Sequence, residues 1–470
     1  MTLPAGPHVP RRHQPRFHFT PTRGWMNDPN GLIHIDGLHH LFFQYNPNDT
    51  TFSDMHWGHA TSTDLITWTE HPIALTPGVP GGYDEDGCWS GCAVALDSGH
   101  VAILYSANEG GRQYTALATP VDGELRSWQK SDANPVIRAW PPLTGLTDLR
   151  DPSLMREPGG GWRLVLAAGS DVTQGGVPGV GGSVASYLSC GDDLTSWTFG
   201  GVLLDGPGAG LPGEVFECPD LFTAPGCADD ELVLVLSWYT NGRSPGEPQT
   251  SDVIWVSGRL ADGRFRPARY GRFDLGDRFY APQSYATADG RRLQFGWLRT
   301  QLDPAAAGRA NIGAQSIPRS LSVAAGRLRQ EPARELSALV RRGHATLDER
   351  STAVGLPRAE TGLEVRVRAD TPAAFAATRI LLRAADGAVL TVTLAAFATA
   401  TSWMRDSGTW TPVEPAVREA VILFDTGLVE TFADDGRVAS TSDLRVEAAT
   451  HVHLQAPAGV RAEVTALEMP

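Results

Sequence analysis

Cysteine is scarce in this chain: Cys88, Cys92, Cys190, Cys218 and Cys227 are five residues among 470. An odd, scattered set forms no disulfide framework. Cys88 and Cys92 have no second Cys or His pair beside them, so no metal site is read there. Reduced thiols point to a cytoplasmic compartment. Long apolar runs are missing too. No stretch of about 20 apolar residues could span a membrane, and the first residues offer Arg11, Arg12, His13 and Arg16 instead of the apolar core of a signal peptide. Basic residues are outnumbered, 39 Lys and Arg against 53 Asp and Glu, for a formal charge of −14. That balance suits neither nucleic acid nor an anionic membrane, whereas a neutral small molecule is compatible with it.

What is abundant is turn chemistry. The chain has 51 Gly and 34 Pro, and 41% of its residues are hydrophobic. Five polar signatures recur: Trp25-Met26-Asn27-Asp28-Pro29-Asn30-Gly31, Trp89-Ser90-Gly91, Arg150-Asp151-Pro152, Glu217-Cys218-Pro219-Asp220 and Tyr280-Ala281-Pro282-Gln283-Ser284. Measured at Asp28, Ser90, Asp151, Glu217 and Gln283, the intervals are 62, 61, 66 and 66 residues. Each signature precedes two short β-prone runs joined by a Gly/Asp turn, such as Gly31–Ile35, Asp36-Gly37 and His40–Tyr45. This is the pattern of blades in an all-β, five-bladed β-propeller, where equivalent positions face one central channel. A second echo, acidic-Leu-x-Ser/Thr-Trp, ends in Trp68, Trp128 and Trp197. It reads as a tight turn whose Trp packs between neighbouring blades.

The repeat fades after Pro318–Leu321, which places the propeller at 1–332. Ala333–Arg342 has helical composition, so 333–345 is expected to be a partly helical linker. From 346 to 470, runs such as Leu363–Arg368, Val421–Phe424 and Val446–Leu454 alternate like strands of a C-terminal β-sandwich.

Three of the five repeated positions are carboxylates, and carboxylate pairs with divergent pKa values break glycosidic bonds. Asp28, beside the amides of Asn27 and Asn30, is expected to stay ionised and act as a nucleophile. Glu217, after Val215 and Phe216, sits in a less polar setting that favours a retained proton and an acid/base role. Asp151, next to Arg150, is expected to be held charged and to bind sugar hydroxyls. Trp25, Trp57, Trp89 and Trp297 are candidates for ring stacking on a sugar, and Gln44 for bonding its hydroxyls.

At these residues the chain resembles glycoside hydrolase family 32, the invertases and fructan hydrolases. Trp25–Gly31, Arg150-Asp151-Pro152 and Glu217-Cys218-Pro219 are similar to its three main motifs. Met55–Ala60, Trp89-Ser90-Gly91, Phe279–Gln283 and Val429–Gly436 look like further segments. The resemblance implies a five-bladed propeller with an appended sandwich and retaining hydrolysis of a β-fructofuranosyl group. It assigns Asp28 as nucleophile, Glu217 as acid/base and Asp151 as the fructose-binding carboxylate. It also places Asn27, Gln44, Trp57, Ser90 and Arg150 around the fructose, with Tyr280 in a neighbouring family segment, and implies no cofactor. Phe216 stands where many relatives carry Trp, and Arg278 where an acidic residue is common. The expected substrates are sucrose, sucrose phosphate or short fructo-oligosaccharides. Fructosyl transfer, exo-hydrolysis of levan or inulin oligosaccharides, a five-bladed pentosidase and an inactive sugar-binding propeller stand as alternatives.

Overall fold

The computed structural model describes residues 14–138, 145–170, 173–174, 177–178, 181–240, 250–299, 311–360, 362–398, 402–406, 409–413, 416–443 and 448–470. Arg11, Arg12 and His13, and Val446 of the expected strand Val446–Leu454, lie outside them; the strand described there is Ala449–Gln455. Five four-stranded antiparallel blades follow one another. Their innermost strands are Gly24–Ile35, Cys88–Ala95, Leu146–Arg156, Val215–Phe222 and Phe279–Ala286. Each touches the next and the fifth returns to the first, closing the ring of the propeller. The signatures therefore lie inside the innermost strands, not ahead of them as the sequence pattern suggests. The ring is sealed by chain from blade five, where Asn311 and Ile312 pair in parallel with Gly24 and Trp25. Gln315 Nε2 adds a bond to the Asn27 carbonyl at 2.7 Å.

Local chemistry explains the turns. Asp36 and Gly37 take φ of 51° and 79°, the left-handed pair that a two-residue hairpin needs. In the outer-blade motif Leu65, Leu125 and Leu194 are buried, and Asp64 Oδ1 accepts from the Ile66 and Thr67 amides. Trp68 of blade one then packs on Phe295 of blade five, and Trp128 of blade two on Phe42 of blade one. These tryptophans are mortar between blades, as expected.

Within the expected linker a short 3-10 helix, Arg334–Ala338, forms, but the helical segment does not reach Arg342, because Val340–Leu347 is already a strand. Residues 341–346, between Val340 and Leu347, are not a β-prone run, but the segment finds a partner in Val460–Glu468, and that pairing overrides local propensity. We propose that the boundary between the two units falls at this turn. The second unit is a sandwich of a six-stranded and a four-stranded sheet. Alternation decides which side chain faces where. Ile422 and Phe424 enter the core between the sheets, while Leu423 and Phe432 pack with Phe17, Tyr285 and Leu336 against the propeller. Strand Ser402–Asp406 of the second unit also pairs with Arg264–Arg272, covering the outer edge of blade four. Among the described residues no helix is long and apolar enough to cross a membrane.

Candidate active site

Every innermost strand carries a β-bulge at its signature. The register shifts fall between Met26 and Pro29, Trp89 and Gly91, Glu217 and Asp220, and Tyr280 and Gln283. In blade three the shift falls opposite Val165 and Ala167, across Arg150-Asp151-Pro152. A bulge adds one residue and re-aims its neighbours, so two consecutive side chains reach the channel instead of one. In blades three, four and five the extra residue is left-handed: Asp151 has φ 58°, Cys218 46° and Ala281 48°, each followed by Pro. Such a backbone costs on the order of 1 kcal/mol at a non-glycine residue and persists only where neighbours enforce it. Here Ser106 Oγ accepts from the Asp151 amide at 2.7 Å, and Ser237 Oγ from the Ala281 amide at 3.0 Å.

The bulges also correct the phase of the repeat. Glu217 lies opposite Ser237, as Arg150 lies opposite Ala167 and Tyr280 opposite Trp297. Glu217 is thus the counterpart of Arg150, one residue ahead of Asp151, and Gln283 is two residues out of phase. Equal spacing in sequence hid this because inter-strand loops vary in length. The carboxylates still converge. Cys218 Sγ lies 3.5 Å from Asp28 Oδ2 and 3.6 Å from Asp151 Oδ2, so one sulfur atom bridges the two aspartates. Arg150 Nη2 donates to Glu217 Oε1 at 2.9 Å, and its Nε lies 3.9 Å from Asp151 Oδ2.

Each carboxylate has its own partners. Asp28 accepts from Ser90 Oγ at 2.6 Å and Asn27 Nδ2 at 3.1 Å, and Trp25 Nε1 steadies Asn27 at 2.9 Å. Asp151 accepts from the Cys218 amide at 2.9 Å. Glu217 Oε2 accepts from the Tyr280 hydroxyl at 2.5 Å. The expected apolar setting for Glu217 is not found: Phe216 turns into the blade core, and Glu217 itself meets a guanidinium and a phenol. At both aspartates burial works against the ionised form. Burial pushes Asp28 up to about 6, against the opposing bond from Ser90 and with the Glu217 charge adding to it. Burial likewise lifts Asp151 to about 7, Arg150 offsetting only part of the effect while Glu217 and Asp28 add to it. Desolvation outweighs the adjacent cation here, because Arg150 also serves Glu217 while the charges of Glu217 and Asp28 act against it.

Of the other predicted residues, Trp89 and Trp297 are half-buried at the site, and Trp297 meets Trp25 edge-on at 5.9 Å. Trp57 and Gln44 are different. The Trp57 ring is fully buried among Phe42 and Tyr105, and its N–H donates to the Trp89 carbonyl at 3.0 Å. Gln44 is spent on the Cys88 carbonyl at 3.0 Å. Trp57 thus has no open face for stacking; Trp57 and Gln44 support the strand that carries Trp89 and Ser90. Sequence reasoning missed Tyr239, whose hydroxyl accepts from Arg150 Nη2 at 3.1 Å, and it carried no motif signal. Cys218 did carry one, standing between Glu217 and Pro219. Among the described residues no group of three or more His, Cys, Asp or Glu is arranged to hold a metal ion. A groove of about 470 Å³ between Pro332–Leu339 and the sandwich is lined by mutually paired Arg341, Glu364 and Arg366, and gathers no comparable set of reacting groups.

This arrangement can donate and accept protons at Glu217 while presenting a carboxylate at Asp28. The Ser90 bond stabilises the ionised form of Asp28, so its loss raises that pKa. Ser90→Ala is expected to move the acidic limb of the kcat/KM–pH profile upward by about one unit, as losing a charge-assisted bond implies. A limb left in place would show that Asp28 does not control it.

The profile of the Glycosyl hydrolases family 32 N-terminal domain matches residues 18–332. A sucrose-6-phosphate hydrolase of Escherichia coli is 35% identical over 353 residues, covering 72% of this chain and 68% of the relative. A raffinose invertase of Escherichia coli is 33% identical over 344 residues, covering 70% and 66% respectively, so about two thirds of each relative is spanned. Among solved structures, the Bombyx mori GH32 β-fructofuranosidase superposes with a TM-score of 0.77 at 25% identity, covering 98% of this chain and 95% of that one. With the match extending over the whole propeller and both its motifs and its fold in agreement, the chain belongs to glycosyl hydrolase family 32.

Proposed function

We propose that this chain is a retaining β-fructofuranosidase, releasing terminal β-D-fructofuranosyl groups from sucrose, sucrose phosphate or short fructo-oligosaccharides. The observation that carries the reading is the convergence of Asp28, Asp151 and Glu217 around Cys218 and Arg150. Asp28, aimed by Ser90 and Asn27, attacks the anomeric carbon as the glycosidic bond breaks, and Glu217 gives its proton to the departing oxygen. Glu217 then takes a proton from water, whose oxygen replaces Asp28 on that carbon. Asp151 binds fructose hydroxyls, and these bonds strengthen as the ring acquires oxocarbenium character. Trp25, Trp89 and Trp297 offer aromatic surface at the site, and Tyr280 and Arg150 hold Glu217. Family membership and the names of the relatives, sucrose-6-phosphate hydrolase and raffinose invertase, support this choice of substrates. Five unpaired thiols agree with a reducing, cytoplasmic setting.

The test is product analysis on sucrose, sucrose 6-phosphate, and inulin-type and levan-type oligosaccharides, with the first fructose followed by NMR. The expected first product is β-D-fructofuranose, the retained anomer. Inversion would remove Asp28 from the nucleophile's role, and release of no fructose from any of them would sink the reading. New difructosides would favour transfer over hydrolysis.

A further inference from the structure

Arg299 follows the second strand of blade five and stands two residues after Trp297, the cross-strand partner of Tyr280. Its amide continues the ladder by donating to the Arg278 carbonyl at 2.8 Å. Tyr280, Trp297 and Arg299 therefore share one face of the blade. The Arg299 guanidinium carbon lies 4.6 Å from the centre of the Tyr280 ring, and Nη1 donates to Ser251 Oγ of blade four at 2.7 Å. Trp297 meets the same ring edge-on, with centroids 6.5 Å apart. The phenol is thus held by a cation over its face and an indole at its edge, and its hydroxyl ends 2.5 Å from Glu217 Oε2.

We propose that Arg299 is a positioning residue for the acid/base step: anchored on Ser251 and stacked on Tyr280, it holds the Tyr280 O–H on Glu217. The proposal rests on the reading of Glu217 as acid/base. Burial and the Glu217 charge push the Tyr280 phenol well above its ordinary range, so the hydroxyl stays a donor throughout the reaction. When Glu217 passes its proton to the leaving oxygen, the new carboxylate is met at once by Tyr280 on one oxygen and Arg150 on the other. A planar guanidinium suits this task better than an ammonium, because it stacks and keeps its N–H groups in plane for the serine. Without Arg299 the ring is free to swing, and Glu217 loses one of its two donors.

The experiment compares kcat/KM for sucrose with that for 4-nitrophenyl β-D-fructofuranoside, whose leaving group needs no proton. In Arg299→Met, kcat/KM for sucrose should fall about tenfold and that for the aryl fructoside by less than about twofold, since only the first depends on general acid help. The alkaline limb for sucrose should move up by about half a unit to one unit, as expected when a donor to the carboxylate is lost. Tyr280→Phe should do the same, and the double variant should be no slower than about twofold beyond either single change, because both act through one contact. Should Arg299→Met fold poorly, Ser251→Ala removes the anchor alone and should give the same selective loss, smaller in size. Equal losses on both substrates, an unmoved alkaline limb, or multiplying losses in the double variant would overturn the proposal. Release of fructose by the wild-type protein separates these outcomes from a failure of the β-fructofuranosidase reading itself.

Discussion

Asp28→Asn is expected to lower kcat on sucrose by about four orders of magnitude, the scale on which a covalent nucleophile is missed. The substitution keeps the shape of the side chain and its bond to Ser90 Oγ, so the loss would be chemical and not steric. A second readout makes this separable from misfolding. Because burial raises Asp28 to about 6, its ionised form destabilises the native state at any higher pH. The sign follows from linkage: between the unfolded value near 4 and the folded value, the native protein holds the proton more tightly. Above pH 6 the wild type carries the full cost of the buried charge, and the amide removes it. The Asp28→Asn variant should therefore melt at or above the wild-type temperature at pH 8, by roughly 1–2 kcal/mol of stability, with the gap closing below about pH 4. Inactive but stabilised protein is the expected pair of results. Activity within tenfold of wild type would remove Asp28 from the chemistry.

The stabilised-yet-dead phenotype also shows where the sequence could and could not be read. The propeller was legible because its turns are made by Asp and Gly, as at Asp36-Gly37, and because Trp68 and Trp128 mark blade junctions at fixed offsets. Asp28, Asp151 and Glu217 were legible as members of motifs. Their environments were not. Whether Arg150 wins against burial at Asp151 depends on which other charges lie nearby, and Asp28 and Glu217 come from other blades. The phase of Glu217 depends on bulges, which leave no mark beyond a following Pro. Trp57 stands in a family segment and reads in sequence as a stacking surface. Only the packing of Phe42 and Tyr105 around it shows that its ring is closed off. Tyr239 and Arg299 have no motif at all, and their roles arise from strand pairing with distant segments.

The same limit applies at the junction of the two units, where the second large effect is expected. Arg319, Asp274, Glu430 and Thr441 meet without solvent: Arg319 Nη2 donates to Glu430 Oε2 at 2.6 Å, Asp274 Oδ2 at 2.9 Å and Thr441 Oγ1 at 2.8 Å. His18 joins them through Glu430 Oε1 at 3.0 Å and Asp425 Oδ2 at 2.9 Å. Arg319 and Asp274 belong to the propeller segment of the chain, Glu430, Thr441 and Asp425 to the sandwich. Replacing such a cluster wholesale with apolar residues can be neutral, but removing one partner strands the others. Arg319→Met leaves Glu430 buried with His18 and takes the guanidinium from buried Asp274, so a loss of about 3–5 kcal/mol is expected. Thermal unfolding at pH 7 measures it, and a loss below about 1 kcal/mol would show that water or a shifted side chain compensates. His18 adds a pH signature to the wild type. Burial alone would lower its pKa, but bonds and charge from Asp425 and Glu430 outweigh burial and raise it to about 9. Its contribution is therefore complete below the ordinary value near 6.5 and is lost as pH rises through 9. Wild-type stability should fall between pH 7 and about 9.5, and His18→Gln should be less stable at pH 7 with a flatter alkaline decline. An alkaline decline equally steep in both proteins would mean that the proton on His18 does not hold the two units together.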